Sequence, residues 1–489
     1  MKTNLLKCIL LGITLVSYAQ EKKESGKNYN VLLIMADDLS IDLNTFGNNQ
    51  VKSPNIDALA QDGLLLQNAY CTVPLCGPSR VAILTGLSPD VTKTPGNKEY
   101  FRDEVPDAVT MPQLFKQHGY FSGRVGKIFH MGVPGDIGTS GLDDPRSWNT
   151  VVNPKGVDVA LENKVVNFTP EMGLGSAAAY LAVPDTAALH TDELVAAETI
   201  QLLKEHKDKP FFIAAGFFRP HCPYIAPLRF FDLYPPDEIN LPYNPPGDRD
   251  DIPGLARRVY KEDMGMTRQQ QREIIRAYYA SISFMDEQVG KVMRALEELG
   301  LKENTIVIFM SDHGYSLGQH GMWQKRNLFE EATNAPVIIS VPGMEGASKR
   351  TTRIIEFTDI YPTIADVAGL KAPSYLQGRS FKVLLDDPEA DFGGMAGTAV
   401  QRRVEKGTPG AGWQLRGRSL RTPGWRYTEW DKGKKGVELY DKISDPGEFD
   451  NLAKNETYRD TIRRLSKTLQ QRVEENSILK DNKGIKTNK

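Results

Sequence analysis

Up to about residue 370, short unbroken apolar runs alternate with longer segments whose apolar residues recur every three or four positions. The first run, residues 31–35, ends in Ala36-Asp37-Asp38, and similar runs occupy 211–215, 306–310 and 337–341, with a shorter one around 123–125. Unbroken runs of this length, bounded by polar turns, suit strands covered on both faces, as in parallel sheets. Between them the period changes. Residues 54–62 read as a helix, with Ser53 as N-cap, Pro54 at the first position, Ile56, Leu59 and Ala60 on one face, and Gly63 as the stop. A second helix begins near Thr191 and ends before Lys209. The longest covers 269–299, where Ile274, Tyr278, Ile282, Met285, Val289, Val292 and Leu296 form an apolar stripe and Gly300 ends it.

Strand, helix and strand in alternation predict an α/β fold: a large parallel or mixed sheet sandwiched by helices. In such sheets ligands sit beyond the carboxyl ends of the strands, and Asp37, Asp38, Asp312 and His313 all fall at such ends. Past about Ala372 the texture changes. Gly and Pro become frequent, short Trp/Tyr segments such as 424–430 appear, and a charged helix covers about 456–475. This predicts a smaller C-terminal α+β subdomain with an antiparallel sheet at 372–489, after a larger N-terminal domain at 28–371. No internal repeat is visible, and the last residues, 481–489, read as a frayed end.

Composition narrows the partners. With 489 residues, 40% of them hydrophobic, the chain is long enough for a large core and a second, smaller one. A formal net charge of -2 argues against wholesale binding of nucleic acid or membrane surface, so anions must be met by local Arg and Lys. Residues 1–19 read as a signal peptide: Lys2 and Lys7, an apolar run from Cys8 to Val16, and Ser17-Tyr18-Ala19 before Gln20. That run is shorter than the ~20 residues a membrane span needs, so the expectation is an exported protein, periplasmic or secreted, without a membrane span. Export would remove Cys8 and leave Cys71, Cys76 and Cys222, an odd count for an oxidising compartment. Conversion of Cys76 to another group would leave Cys71 and Cys222 as the one remaining pair for a disulfide.

Candidate chemistry gathers at the strand ends. An isolated Asp-Asp is ordinarily a polar turn, because adjacent carboxylates disfavour joint ionisation unless a cation neutralises them. Two such ends, Asp37-Asp38 and Asp312-His313, together offer oxygen ligands, with His313 as a nitrogen ligand or a partner to a bound anion, and a carboxylate-dominated set favours Ca²⁺ or Mg²⁺ over Zn²⁺. Cys76 opens the run Cys76-Gly77-Pro78-Ser79-Arg80, followed four residues later by Thr85-Gly86. Taken alone, it reads equally as a small buried residue at a helix start or as a thiolate nucleophile. A helix start favours anions, and Arg80 one turn along adds a fixed donor fork. Three of the seven histidines, His130, His221 and His313, lie in loops after apparent strands, beside Lys127, Arg219 and, further on, Lys325. His118, His190, His206 and His320 read as structural or surface residues.

Together these residues match a known pattern. The chain resembles the type I, formylglycine-dependent sulfatases of the alkaline-phosphatase superfamily, and within them the iduronate-2-sulfatase branch. The resemblance runs from residues 33–38 through the Cys76 motif, Val125-Gly126-Lys127-Ile128-Phe129-His130, Arg219-Pro220-His221 and 311–318 to Glu438-Leu439-Tyr440-Asp441 and 445–448. Lys127 with His130, and His313 where many relatives carry asparagine, are what point to the iduronate branch.

The resemblance implies that Cys76 is converted to formylglycine (3-oxoalanine), whose hydrate attacks sulfur, by a formylglycine-generating or radical sulfatase-maturating enzyme. It implies one Ca²⁺, with Mg²⁺ as the other hard cation such ligands admit, held by Asp37, Asp38, residue 76, Asp312 and His313. Arg80, Lys127 and Lys325 would bind the sulfate, His221 would protonate the leaving oxygen, and His130 would act as the later base. The implied substrate is a sulfated glycan, with a 2-sulfated uronate first and algal polysaccharides such as ulvan as a setting. Arg219 and Arg326 are candidates to read the uronate carboxylate, each equally readable as a solvated rim charge. Two rivals stand beside this reading. One is a phosphomonoesterase or phosphonate hydrolase of the same superfamily, the other a non-catalytic protein that binds sulfated glycan.

Overall fold

The computed structural model describes residues 29–257, 261–404 and 412–479; the signal-peptide assignment at 1–19 lies outside the described residues. Its centre is an eight-stranded sheet built from β1 (Asn30–Asp37), β2 (Leu64–Tyr70), β3 (Phe121–Gly126), β4 (Thr150–Val152), β5 (Phe211–Pro220), β6 (Thr305–Ser311), β7 (Val337–Ser340) and β8 (Lys349–Glu356). The order across the sheet is β8-β2-β7-β6-β1-β5-β3-β4. Every neighbouring pair is parallel except the two that β7 makes, with β2 and β6. The sheet is therefore mixed through one reversed strand.

The unbroken apolar runs are explained by helices on both faces. Leu32 and Ile34 of β1 pack into a core with residues of three helices: Ile56 and Leu59 of α1 (Pro54–Asp62), Val195 and Leu202 of a helix at Thr191–His206, and Ile274 and Ile282 of a helix at Arg268–Glu298. Val31, Leu33 and Met35 point the other way, against Ile83 and Leu84 of α2 (Cys76–Thr85) and Ile360 and Ile364 further on. Numbered in chain order, Met111–Gln117 is α3, Thr191–His206 is α4, and Arg268–Glu298 is α5. A reciprocal cap starts α5: the Gln270 amide donates to Thr267 Oγ1 and the Thr267 amide to Gln270 Oε1, satisfying two otherwise orphaned donors. Strand β5 runs well past the predicted apolar run, because Gly216 to Pro220 stay buried and paired, and this extension delivers Arg219 and His221 to the site edge.

A second sheet is antiparallel: β9 (Ala396–Val404), β10 (Gly412–Arg421), β11 (Trp425–Trp430) and β12 (Val437–Asp441). One face is covered by the helix Arg459–Asn476, through Leu465 and Leu469 on Leu420, Tyr427 and Leu439. From the other face Val400, Trp430 and Tyr440 pack on Met322, Leu328 and Phe329, flanking Lys325. Tyr375, Phe381, Leu384 and Phe392, which precede this sheet, belong instead to the core of the first one.

The Cys71–Cys222 pair does not form. Both are free, buried thiols, and they sit in the cores on opposite faces of the large sheet, Cys71 with Val31 and Leu33, Cys222 with Leu32 and Ile34. Among the described residues no helix is long and apolar enough to cross a membrane.

Candidate active site

Parallel pairing of β1 with β6 sets Met35 opposite Met310 and Ala36 opposite Ser311, so the two acidic ends leave the sheet side by side. The turn there is unusual for a non-glycine residue: Asp38 has φ 64°, in the left-handed region. Its amide donates to Asp312 Oδ1 at 3.2 Å. The next amide, Leu39, donates to Ser311 Oγ at 3.0 Å, and that hydroxyl donates to the His313 carbonyl at 2.9 Å. The two strand ends are thus stitched together by their own side chains.

Facing them is the start of α2, a helix buried along its whole length. Cys76 is its first residue, with Sγ 3.4 Å from His313 Nε2, 3.6 Å from Lys325 Nζ and 3.7 Å from Asp38 Oδ1. Gly77 is required here by space: a Cβ would lie 2.7 Å from the Gly96 carbonyl. Its N–H, one of the orphans of a helix start, donates to Asn97 Oδ1 at 2.8 Å. Burial pushes the Cys76 thiol well above its ordinary pKa despite Lys325 and Lys127 nearby, which counts against a thiolate nucleophile at an unmodified Cys76.

Arg80 occupies the next turn, fully buried. Its Nε donates to Asp312 Oδ2 at 2.8 Å, Nη1 to the carbonyls of Lys127 and Ile128, and Nη2 to Asp37 Oδ1 and the Ala36 carbonyl. All five guanidinium donors are used on protein acceptors. Arg80 therefore holds the two acidic ends in register, and the sulfate contact expected of it has no donor left to make it.

The carboxylates converge. Asp37, Asp38 and Asp312 each offer an oxygen within 4.8 Å of the others, all buried. Lys127 Nζ donates to Asp37 Oδ2 at 2.6 Å, and Lys325 Nζ to both oxygens of Asp38 at 2.6 Å. Burial alone would raise Asp37, but Lys127, His221, Arg80 and Lys325 hold it well below the usual carboxylate range. Asp38 is likewise lowered, burial being outweighed by His221, Lys325 and His313. Three carboxylates against Arg80, Lys127 and Lys325 leave the centre near neutral, and a divalent cation among the carboxylates would make it cationic, as an anionic substrate requires.

The donor chemistry fits such a cation. His313 Nδ1 lies 2.8 Å from the Gly314 carbonyl, which can only accept, so Nδ1 carries a proton and Nε2, 3.3 Å from Asp38 Oδ1, is the ring nitrogen left to face a cation. Three hard oxygens and one imidazole nitrogen suit Ca²⁺ or Mg²⁺.

His221 is held the same way, with Nδ1 2.6 Å from the Cys222 carbonyl and Nε2 3.6 Å from Asp38 Oδ2. Burial lowers its pKa to about 4, against the opposing pull of Asp38. His130 shares the lining of a small cavity with Gly77 and Asn97, its Nδ1 buried and without a partner among the described residues. Burial and Lys127 push it down to about 2. Both imidazoles are neutral near pH 7.

Arg219 is not turned toward the centre. It is 3% exposed, and its guanidinium donates to the carbonyls of His221 and Pro223 and to Asp158 Oδ2 at 2.9 Å. The predicted reader of a uronate carboxylate is instead a brace under the His221 loop. Arg326 is half-buried with φ 70°, its amide on the Pro74 carbonyl and its own carbonyl accepting from Arg402. The sequence reading passed over Ser311, Asn97 and Asp158. Each is a common polar residue acting on backbone or on another side chain; Asn97 and Asp158 fall in no motif, and Ser311, although inside the 311–318 segment, shows nothing there of its role in joining the strand ends.

Comparison with known proteins places the whole chain. The sulfatase family profile matches residues 29–370, and a profile for the C-terminal part of N-sulphoglucosamine sulphohydrolase matches residues 318–475. A sulfatase from Formosa agariphila is 31% identical over 484 residues, covering 94% of this chain and 91% of its own. Mouse iduronate 2-sulfatase is 34% identical over 431 residues, covering 77% and 76%. In fold, a solved phosphonate monoester hydrolase from Silicibacter pomeroyi superposes with a TM-score of 0.76 at 21% identity, covering 94% of this chain and 99% of its own. With the family profile over most of the first unit and close to a third of residues shared across nearly the whole length of a sulfatase, the chain belongs to the sulfatase family and is a sulfuric ester hydrolase.

Proposed function

We propose that this protein removes sulfate from a sulfated glycan or its oligosaccharides, a 2-sulfated uronate first among them, using residue 76 in its formylglycine form. The observation that carries the reading is the placement of Cys76: the first residue of a buried helix, within 3.4–3.7 Å of His313, Lys325 and Asp38. The likeness to iduronate 2-sulfatases supports the uronate. On this reading residues 1–19 direct export to the periplasm or beyond, and a formylglycine-generating or radical sulfatase-maturating enzyme is the partner that prepares Cys76.

Asp37, Asp38, Asp312 and His313 would hold the divalent cation, which would supply Lewis-acid polarisation of the sulfuryl oxygens; the formylglycine hydrate would supply two hydroxyls, one that attacks sulfur as the S–O bond to the sugar breaks and one whose deprotonation expels sulfate and restores the aldehyde. Lys127 and Lys325, already fixed on Asp37 and Asp38, stabilise charge on the transferring group without reorganising. Arg80 keeps the carboxylates in register, and Arg219 keeps the His221 loop in place. His221, once protonated at Nε2 as well as at the Nδ1 that the Cys222 carbonyl holds, gives the Nε2 proton to the departing sugar oxygen, and His130 takes the proton of the remaining hydroxyl during sulfate release. An anion bound beside the two imidazoles raises their proton affinity.

Leaving-group dependence tests the role of His221. With His221→Ala, a sulfated oligosaccharide, whose alkoxide is a poor leaving group, should lose about 10²–10⁴-fold in kcat/KM. Nitrophenyl sulfate, which departs unaided, should lose much less. Equal losses on the two substrates would remove His221 from the proton transfer.

The fold also houses phosphonate monoester hydrolases, so the reacting group needs its own test. Paired rates on nitrophenyl sulfate and nitrophenyl phosphate should favour sulfate. Much faster turnover of phosphate would overturn the proposed substrate.

A further inference from the structure

We infer that Tyr278, from the middle of α5, is a positioning residue that fixes Asp38 for cation binding. The inference rests on the cation reading proposed above and adds a residue that touches neither cation nor substrate. Asp38 needs such a residue because its φ of 64° is one that side-chain-bearing residues rarely adopt. Rotation back to an ordinary φ would swing the carboxylate away from Asp37 and Asp312.

The backbone is pinned on both sides of that residue. On one side, the Asp38 amide is tied to Asp312. On the other, the Tyr278 hydroxyl donates to the Asp38 carbonyl at 2.7 Å and accepts from the Ser40 amide at 2.8 Å. One hydroxyl thus spans the turn from residue 38 to residue 40 and satisfies a buried acceptor and a buried donor. The ring has little room to move. It stacks on Tyr315 with centroids 5.3 Å apart and planes at 13°, and meets Tyr224 edge-on at 5.7 Å and 87°. Those two tyrosines share a hydrogen bond of 2.8 Å between their hydroxyls. A rigid aromatic group therefore ties the strained turn to the longest helix of the fold.

Tyr278→Phe keeps the ring and its stacking and removes only the hydroxyl. Tyr234→Phe is the matched control: that buried hydroxyl accepts from the Lys52 amide at 2.8 Å and bonds Ser283 Oγ, in a setting that does not include the acidic ends. The full-length protein, stripped of metal, is titrated with Ca²⁺ by calorimetry, and its thermal unfolding is followed with and without Ca²⁺. Tyr278→Phe is expected to weaken Ca²⁺ binding tenfold or more and to shrink the Ca²⁺-induced rise in Tm, whereas Tyr234→Phe matches the wild type in both. In metal-free protein the two variants should lose similar amounts of Tm, and saturating Ca²⁺ should restore most of the kcat of Tyr278→Phe. Wild-type affinity in Tyr278→Phe, or an equal loss in Tyr234→Phe, overturns the positioning role alone. A wild-type protein that takes up no divalent cation overturns the cation reading, and this inference with it.

Discussion

Replacing Cys76 by alanine is expected to abolish sulfate-ester turnover, by on the order of 10⁴-fold or more, while leaving the fold and the binding of sulfated oligosaccharide in place. The size of the loss follows from what surrounds the position. Among the described residues Lys127 and Lys325 approach carboxylates, Arg80 has no free donor, and burial raises the pKa of the residue 76 thiol. No other side chain at the centre is placed as a nucleophile. Stability should change little, because Sγ makes only long polar contacts of 3.4–3.7 Å with its neighbours. Steady-state rates on nitrophenyl sulfate and equilibrium binding of a sulfated oligosaccharide give the two halves of the result. The wild-type protein supplies the complement through the mass of the peptide carrying residue 76. An active preparation in which that residue alkylates fully as a thiol would exclude the formylglycine chemistry.

The sequence made the centre of the site legible because its chemistry is concentrated in charged residues at strand ends. Apolar runs located β1 and β6, and the polar residues that follow each run fall on the last positions of the strand or just past them. Those runs cannot show strand direction, so the reversal of β7 became visible only in its pairing with β2 and β6. Residues that position others were hidden for a different reason. Tyr278 falls on the apolar stripe of α5 and reads as core, which its ring is, while its hydroxyl acts on a turn 240 residues away in sequence. Arg219 misled in the opposite sense: an arginine beside a candidate acid reads as a substrate contact, yet Asp158, distant in sequence, holds it under the loop. Cysteine counting failed likewise, since parity carries no information about which face of a sheet each thiol occupies.

Asp38→Asn should reduce activity by roughly 10³-fold or more and weaken divalent-cation binding, and it should also destabilise the protein more than most single substitutions. Asparagine tolerates left-handed backbone as aspartate does, so the turn itself should survive. What is lost is charge. Lys325 is 7% exposed and rests its ammonium on both Asp38 oxygens, so the substitution leaves a buried cation without its counter-ion. Removing one partner of a buried pair costs about 3–5 kcal/mol, whereas replacing both by uncharged groups is often neutral. Adding Lys325→Met to Asp38→Asn should therefore recover much of the lost stability while leaving activity and cation binding as low as before. Denaturant unfolding of the wild type, both single variants and the double variant measures the coupling directly. Strictly additive stabilities would mean that the ion pair is not what holds Lys325 over residue 76, and a double variant that regained turnover would remove both side chains from the chemistry.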